Sequence, residues 1–188
     1  MKDHRQASGK LVQLIVCQKD KFMKTVYTIG YEGTDIHRFV ETLQAVGVEA
    51  IADVRALPLS RKKGFSKNAL KDQLNQAGID YIAMKELGDP KPGRDAAKAG
   101  NYTLFRKLYS AHVDQEEPKS ALKKLATIAE SNIVCLLCFE RDPKTCHRQI
   151  VGERMAPFGY EMFHLYGDDP KRYIRHQEKL PTINSAIV

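Results

Sequence analysis

A mainly parallel five-stranded sheet covered by helices on both faces is the fold class that this sequence predicts. Three observations carry the prediction. Short β-branched and aromatic runs alternate with stretches whose apolar residues recur at helical spacing. Residues 133–139 (IVCLLCF) form an unbroken apolar run, the pattern of a strand buried on both faces. Reactive and charged residues gather just after such runs, as at Glu140-Arg141-Asp142, where the chain turns polar before it breaks at Pro143.

In chain order, residues 1–22 read as an extension, with Met23 as an alternative start of the domain and Cys17 incidental. The first strand, 26–29, ends at Gly30-Tyr31-Glu32-Gly33. Thr34 or Asp35 caps a helix whose apolar face is Ile36, Phe39, Val40, Leu43 and Val46, and Gly47 stops it. A second strand, 50–54, leads to Arg55 and Pro58. Ser66 caps a helix carrying Leu70, Leu74 and Ala77, which ends at Gly78, and a third strand covers 81–84. Residues 88–100 (GDPKPGRDAAKAG) are punctuated by Gly and Pro and read as a loop. With Lys91, Arg94 and Lys98 it is either a lid over an anionic ligand or a solvated insertion, the second being favoured. Helices follow over about 102–113 and 119–131. The fourth strand is the 133–139 run, its helix covers 146–156, and a last strand spans 161–165. The tail from Asp168 is polar, with at most a short helix at 172–179. There is no internal repeat. The pattern is that of a Rossmann-like three-layer sandwich over residues 23–170.

At 188 residues the chain suits one well-buried domain. Its formal charge of +7 and pI of about 9.2 favour an anionic small molecule or nucleic acid as partner, or mark a merely basic soluble protein. No dense Lys/Arg block with interleaved aromatics decides between these. Apolar runs fall far short of the ~20 residues a membrane span needs, and no signal peptide is visible, so a cytoplasmic protein without membrane association is expected. Four cysteines do not make a disulfide framework here, but three of them fall within 133–149. No phosphate-binding Walker loop, dinucleotide fingerprint, Gly-x-Ser-x-Gly elbow, zinc-protease motif or Cys-x5-Arg loop is present, and no cofactor is expected.

In a parallel sheet, ligands bind beyond the carboxyl ends of the strands. That rule selects Gly30, Tyr31 and Glu32; Asp53 and Arg55; Lys85 and Glu86; Cys138, Glu140 and Arg141, with Cys146, His147 and Arg148 at the next helix start; and His164 and Tyr166. Cys146 beside a helix N-terminus is either an activated thiol or packing, and Cys138 at a buried strand end is either a site residue or a small hydrophobe. Cys135, Cys138, Cys146 and His147 also suit zinc chemically. Residues three apart on a strand face opposite ways, however, and adjacent Cys146 and His147 are expected to splay apart, so no four-ligand metal site is expected. A smaller site using Cys138 and Cys146 with partners elsewhere stays open. Asp53 and Arg55 share one side of the strand end. Arg55 grips a phosphate while Asp53 acts as base, or the two pair to order the loop. Ser60, in SRKKGFS, belongs to an anion-binding or merely solvated loop. Tyr102 and Phe105 read as core, with the Tyr102 hydroxyl within reach of the site.

Thr28-Ile29-Gly30-Tyr31, then Asp53-Val54-Arg55 with Pro58, Ser60 and Phe65, then Leu137-Cys138-Phe139-Glu140 with Pro143 and Cys146-His147-Arg148, resemble the DUF488 family of uncharacterised prokaryotic proteins, over about residues 25–167. The resemblance implies that Asp53, Arg55, Cys138, Glu140, Cys146, His147 and Arg148 occupy motif positions. It implies no activity. The chain has Tyr31-Glu32 where members often read His-Ser, and Leu87-Gly88-Asp89 where they often read Leu-Gly-Gly. Were that histidine a base, Tyr31 or Glu32 would have to replace it.

The leading expectation is an enzyme acting on a nucleotide, nucleoside or nucleic acid. Arg55 and Arg148 would hold the anion, and Gly30, Tyr31, Ser60 and Cys138 would line the ligand site. Asp53 or Glu140 would do acid–base work, with Cys146 and His147 as nucleophile or support. The alternatives are a non-catalytic module binding nucleic acid or protein, and a redox protein with a reversible Cys138–Cys146 disulfide. The sequence is silent on oligomeric state.

Overall fold

The structure, a computed structural model, describes residues 23–176 and 180–181. Its strands are β1 (Lys24–Gly30), β2 (Ala50–Asp53), β3 (Asp80–Ala83), β4 (Val134–Cys138) and β5 (Tyr160–Tyr166). The helices are α1 (Ile36–Ala45), α2 (Lys67–Gln76), α3 (Lys91–Lys98), α4 (Tyr102–Val113), α5 (Glu116–Ser131), α6 (His147–Glu153) and α7 (Lys171–Arg175). All pairings are parallel, and the strand order is β3-β2-β4-β1-β5.

Side-chain alternation along the strands builds two cores. Ile29, Ile51, Cys135 and Leu137 face Phe39 and Leu43 of α1 and Leu70 and Leu74 of α2. Val26, Ala52, Val134 and Leu136 face Phe105 and Tyr109 of α4, Leu122 and Leu125 of α5, and Ile150 and Val151 of α6. The central strand β4 is buried along its whole length, which is why its sequence does not alternate. The architecture is the expected three-layer α/β sandwich.

The strand order positions the site. From β1 the chain crosses by α1 toward one edge of the sheet, whereas from β4, its neighbour, it crosses by α6 toward the other. Right-handed crossovers in opposite directions place α1 and α6 on opposite faces. The loops after β1 and β4 therefore diverge and leave a crevice between their carboxyl ends. Register brings Gly30 of β1 opposite Cys138 of β4 there.

The structure corrects four expectations. Residues 88–100 are not a loop, because Lys91–Lys98 is helix α3. Pro92 sits in its first turn, where a missing N–H costs nothing, Gly93 and Ala96 turn inward, and Lys91 Nζ meets Asp95 Oδ2 at 2.7 Å. The small inward residues gave the segment its loop-like composition. Helix α5 begins at Glu116, not 119, and α6 ends at Glu153, followed by a 3₁₀ turn at Ala156–Phe158. Tyr102 is 41% exposed rather than core, whereas Phe105 is buried. The proposed extension at 1–22 with Cys17, and residues 177–179 of the expected last helix, lie outside the described residues. No helix among the described residues is long and apolar enough to cross a membrane.

Candidate functional site

The β4–α6 connection folds back on itself through local bonds. Asp142 accepts from Lys144 N at 2.9 Å, Thr145 Oγ1 donates to Asp142 O at 3.0 Å, and Cys146 N closes on Pro143 O at 3.1 Å. This returns Cys146 to the end of β4, beside Cys138. Arg148 clamps the loop from within. Its guanidinium donates to Glu140 O at 2.5 Å, Arg141 O at 3.0 Å and Thr28 Oγ1 at 3.4 Å. Glu32 grips the outside, its carboxylate accepting from Arg141 N at 2.9 Å.

Inside the turn, Cys138, Cys146 and His147 converge. One ligand atom from each lies within 4.8 Å of the others, and all three residues are buried. His147 Nδ1 is 3.7 Å from Cys138 Sγ and 4.0 Å from Cys146 Sγ. Cys146 and His147 therefore do not splay apart as expected. The His147 ring turns inward because its Nε2–H donates to Val54 O at 2.7 Å, and Tyr109 packs against it at 5.1 Å. That donation leaves Nδ1 aimed at the thiols. Cys135 lies on the opposite face, as strand alternation requires. Among the described residues, Cys138, Cys146 and His147 thus bring together a donor set able to hold a metal.

Two carboxyls complete the floor. Glu140 Oε2 and Asp89 Oδ1 are buried without a hydrogen-bond partner. Burial, reinforced by the charge of Cys146, pushes Glu140 up to about 7, and burial pushes Asp89 up to about 6. The thiols divide their roles. Burial opposes ionisation of Cys146, but the Cys138 thiol and the His147 and Arg148 charges outweigh it and lower its pKa. The thiols are free, and hydrogen bonding to Cys146, together with burial, raises the Cys138 pKa. Burial likewise opposes charge on His147, yet Cys146 outweighs it and lifts His147 to about 9.

Above this floor opens a cleft with two lobes of about 570 and 490 Å³, which share Asp89, Arg94, Lys98, Phe139, Glu140 and His147. Arg55, Arg61 and Lys62 line the first lobe, and Tyr102 and Thr145 the second. Cations thus dominate the walls while acids sit at the base. Phe139 is 44% exposed and lines both lobes.

The sequence-selected residues separate into two groups. Tyr31, Arg55, Ser60, Cys138, Glu140 and His147 line the cleft, with Cys146 directly behind Cys138 and His147. Gly30, Asp53 and Arg148 do not line it. Gly30 lies against the Glu140 backbone, where any Cβ would overlap the carbonyl. Asp53 is consumed by Arg55, whose Nε and Nη2 meet its two oxygens at 2.8 and 2.7 Å, and by the Tyr81 hydroxyl at 2.6 Å. Arg55 Nη1 further donates to Tyr31 Oη and Phe65 O. The ion-pair reading of Asp53 and Arg55 is therefore the one the geometry gives, and Arg148 is a buried clamp rather than a hand for an anion. Neither Tyr31 nor Glu32 stands free to act as a base: the Tyr31 hydroxyl accepts from Arg55, and Glu32 holds the loop. Of the remaining strand-end residues, Lys85 and Glu86 lie in a 3₁₀ turn away from the cleft lining, and His164 Nδ1 pairs with Thr28 Oγ1 at 2.7 Å.

Asp89 was not selected from the sequence, and the reading of Arg94 and Lys98 as a lid over an anion ranked second to a solvated insertion, yet all three line the cleft. The signal was available in GDPKPGRDAAKAG: Arg94 and Lys98 are four apart, which places them on one helix face once the segment is helical.

Fold and site together define an all-parallel α/β domain with a basic cleft over a thiol, imidazole and carboxyl floor. The family model described as a domain of unknown function, DUF488, matches residues 35–155, and the chain belongs to that family. Comparison with curated proteins and with solved structures gives no match.

Proposed function

We propose that this protein is an enzyme acting on a nucleotide, nucleoside or nucleic-acid substrate bound in the cleft between β1 and β4. The observation that carries this reading is the vertical order of the site. Arg61, Lys62, Arg94 and Lys98 form the walls, exposed Phe139 and Tyr102 lie among them, and Glu140, His147 and Cys138 lie below. Cationic walls attract a phosphate, an aromatic face stacks a base, and a carboxyl with a pKa near neutrality takes or gives a proton at working pH. Glu140 is the acid–base residue in this account, and it replaces Asp53, whose oxygens are committed to Arg55 and Tyr81. Arg94 and Lys98 hold the anion in place of Arg148.

The test uses a panel of nucleoside mono-, di- and triphosphates and a short single-stranded RNA, measured for binding and for turnover. Lys98→Ala and Arg94→Ala should each weaken binding about tenfold, the loss of one charge-assisted hydrogen bond. Glu140→Gln should keep affinity within about twofold and abolish turnover, the mark of a group that acts only in the chemical step. Binding without turnover by the unaltered protein would favour the non-catalytic module. No binding by any member of the panel would remove the nucleotide reading.

A further inference from the structure

We propose that Cys138 Sγ, Cys146 Sγ and His147 Nδ1 form a binding site for one Zn²⁺ ion, with the fourth coordination position open toward the cleft. The inference stands on the ligand geometry and does not depend on the nucleotide reading. Zinc bonds of ~2.3 Å to sulfur and ~2.1 Å to nitrogen, at a tetrahedral angle, set sulfur and nitrogen about 3.6 Å apart. Here His147 Nδ1 lies 3.7 and 4.0 Å from the two sulfurs, so small movements would seat the ion.

The surroundings match what such a site needs. A zinc-bound histidine commonly donates its other ring N–H to a backbone carbonyl or a carboxylate, which fixes the tautomer and aims the free lone pair. Val54 O accepts that bond from His147 at 2.7 Å, and Tyr109 packs against the ring. Beside the ligand set, two carboxyl oxygens, Glu140 Oε2 and Asp89 Oδ1, are buried and unpartnered. Two sulfurs and one imidazole nitrogen favour zinc over the oxygen-seeking Mg²⁺ and Ca²⁺. The protons balance as follows: Zn²⁺ binds the two sulfurs as thiolates, the protons they carried pass to solvent, and the imidazole coordinates as the neutral ring. Cys138 and His147 line the cleft while Cys146 lies behind, so the open position faces the side where Glu140 stands. There Glu140 would orient a water on the metal.

The experiment is a titration of the full reduced chain with Co²⁺ alone, a spectroscopic stand-in for Zn²⁺. Saturation at one equivalent is expected, with a near-ultraviolet thiolate-to-cobalt band and the visible bands of tetrahedral cobalt, all erased by one equivalent of Zn²⁺. Cys138→Ser and Cys146→Ser should each lower Co²⁺ affinity at least about 100-fold and weaken the thiolate band, whereas Cys135→Ser, on the opposite face of the sheet, should leave it intact. Should a ligand variant fail to fold, alkylation of the unaltered chain decides. One equivalent of Zn²⁺ should protect Cys138 and Cys146, and equal labelling rates with and without the ion would overturn the site. So would the absence of a thiolate band at excess Co²⁺, or a band that survives both ligand variants. Nucleotide binding measured beside a chelator separates the two readings. If it persists while Co²⁺ is not taken up, the metal site fails alone; if Co²⁺ is bound and no nucleotide is, the proposed substrate fails alone.

Discussion

Arg55 and Arg148 are both candidates in the sequence for holding an anion, one just after β2 and the other in the first turn of α6, and the fold turns both inward. A guanidinium buried at 5% side-chain exposure against a carboxylate at 1% is the arrangement in Arg55–Asp53. Such a pair contributes little over an apolar replacement, but removing one member leaves the other charged and unpaired. Asp53→Ala should therefore lower stability by about 3–5 kcal/mol in urea unfolding, and Asp53→Leu with Arg55→Met should recover most of the loss. Gly30 is as constrained without any charge. A Cβ there would strike the Glu140 carbonyl, so Gly30→Ala should destabilise by about 2–3 kcal/mol in the same assay and shift the β4–α6 loop. The residue types at these positions were legible in the sequence; their acceptors were not. Arg148 finds Glu140 O and Arg141 O only because the 3₁₀ turn at Pro143–Thr145 reverses the chain.

Among the elements, those with a clear period were readable and those with mixed signals were not. The strands lie within a residue or two of their expected places because their apolar runs are bounded by Gly, Pro and charge. Helix α3 was hidden, since Pro92 and Gly93 suit a turn in isolation and suit a helix only when Pro occupies the first turn and Gly faces a neighbour. Asp89 is that neighbour; its carboxylate packs so close to Gly93 that no Cβ fits between. Helix ends are also tied across sequence. Arg154, at the end of α6, meets Asp114, at the end of α4, with both contacts at 3.0 Å. The bond from Arg154 lowers the Asp114 pKa below its ordinary 3.8. A carboxylate with a depressed folded pKa gives stability that is present above the unfolded value and is lost as pH falls through the folded one. This pair is half-exposed, so Arg154→Ala should cost only about 0.5 kcal/mol near neutral pH. The difference between variant and parent should vanish in acid, below the carboxylate range. Denaturant midpoints taken across pH check both points.

At the scale of the molecule, strand order does what no local pattern could. The sequence gives five strands with polar ends, but the order β3-β2-β4-β1-β5 decides that the ends of β1 and β4 adjoin and that their outgoing loops diverge. That crevice is where Tyr31, Cys138, Glu140 and His147, drawn from 31, 138, 140 and 147 in the chain, share one lining. The formal charge of +7 was visible from composition, but its meaning for the site depends on α3, which carries Arg94 and Lys98 to the cleft wall. Anion binding there should weaken as salt rises, and Lys98→Ala should flatten the slope of log affinity against log salt. Whether this cleft receives a nucleotide is decided by titrating the isotopically labelled chain with adenosine monophosphate and following its amide resonances. Saturable shifts that cluster at Tyr31, Arg61, Lys98, Phe139 and Glu140 and fade with salt are expected. Shifts confined to another face of the sheet, or none at millimolar nucleotide, would contradict the nucleotide reading.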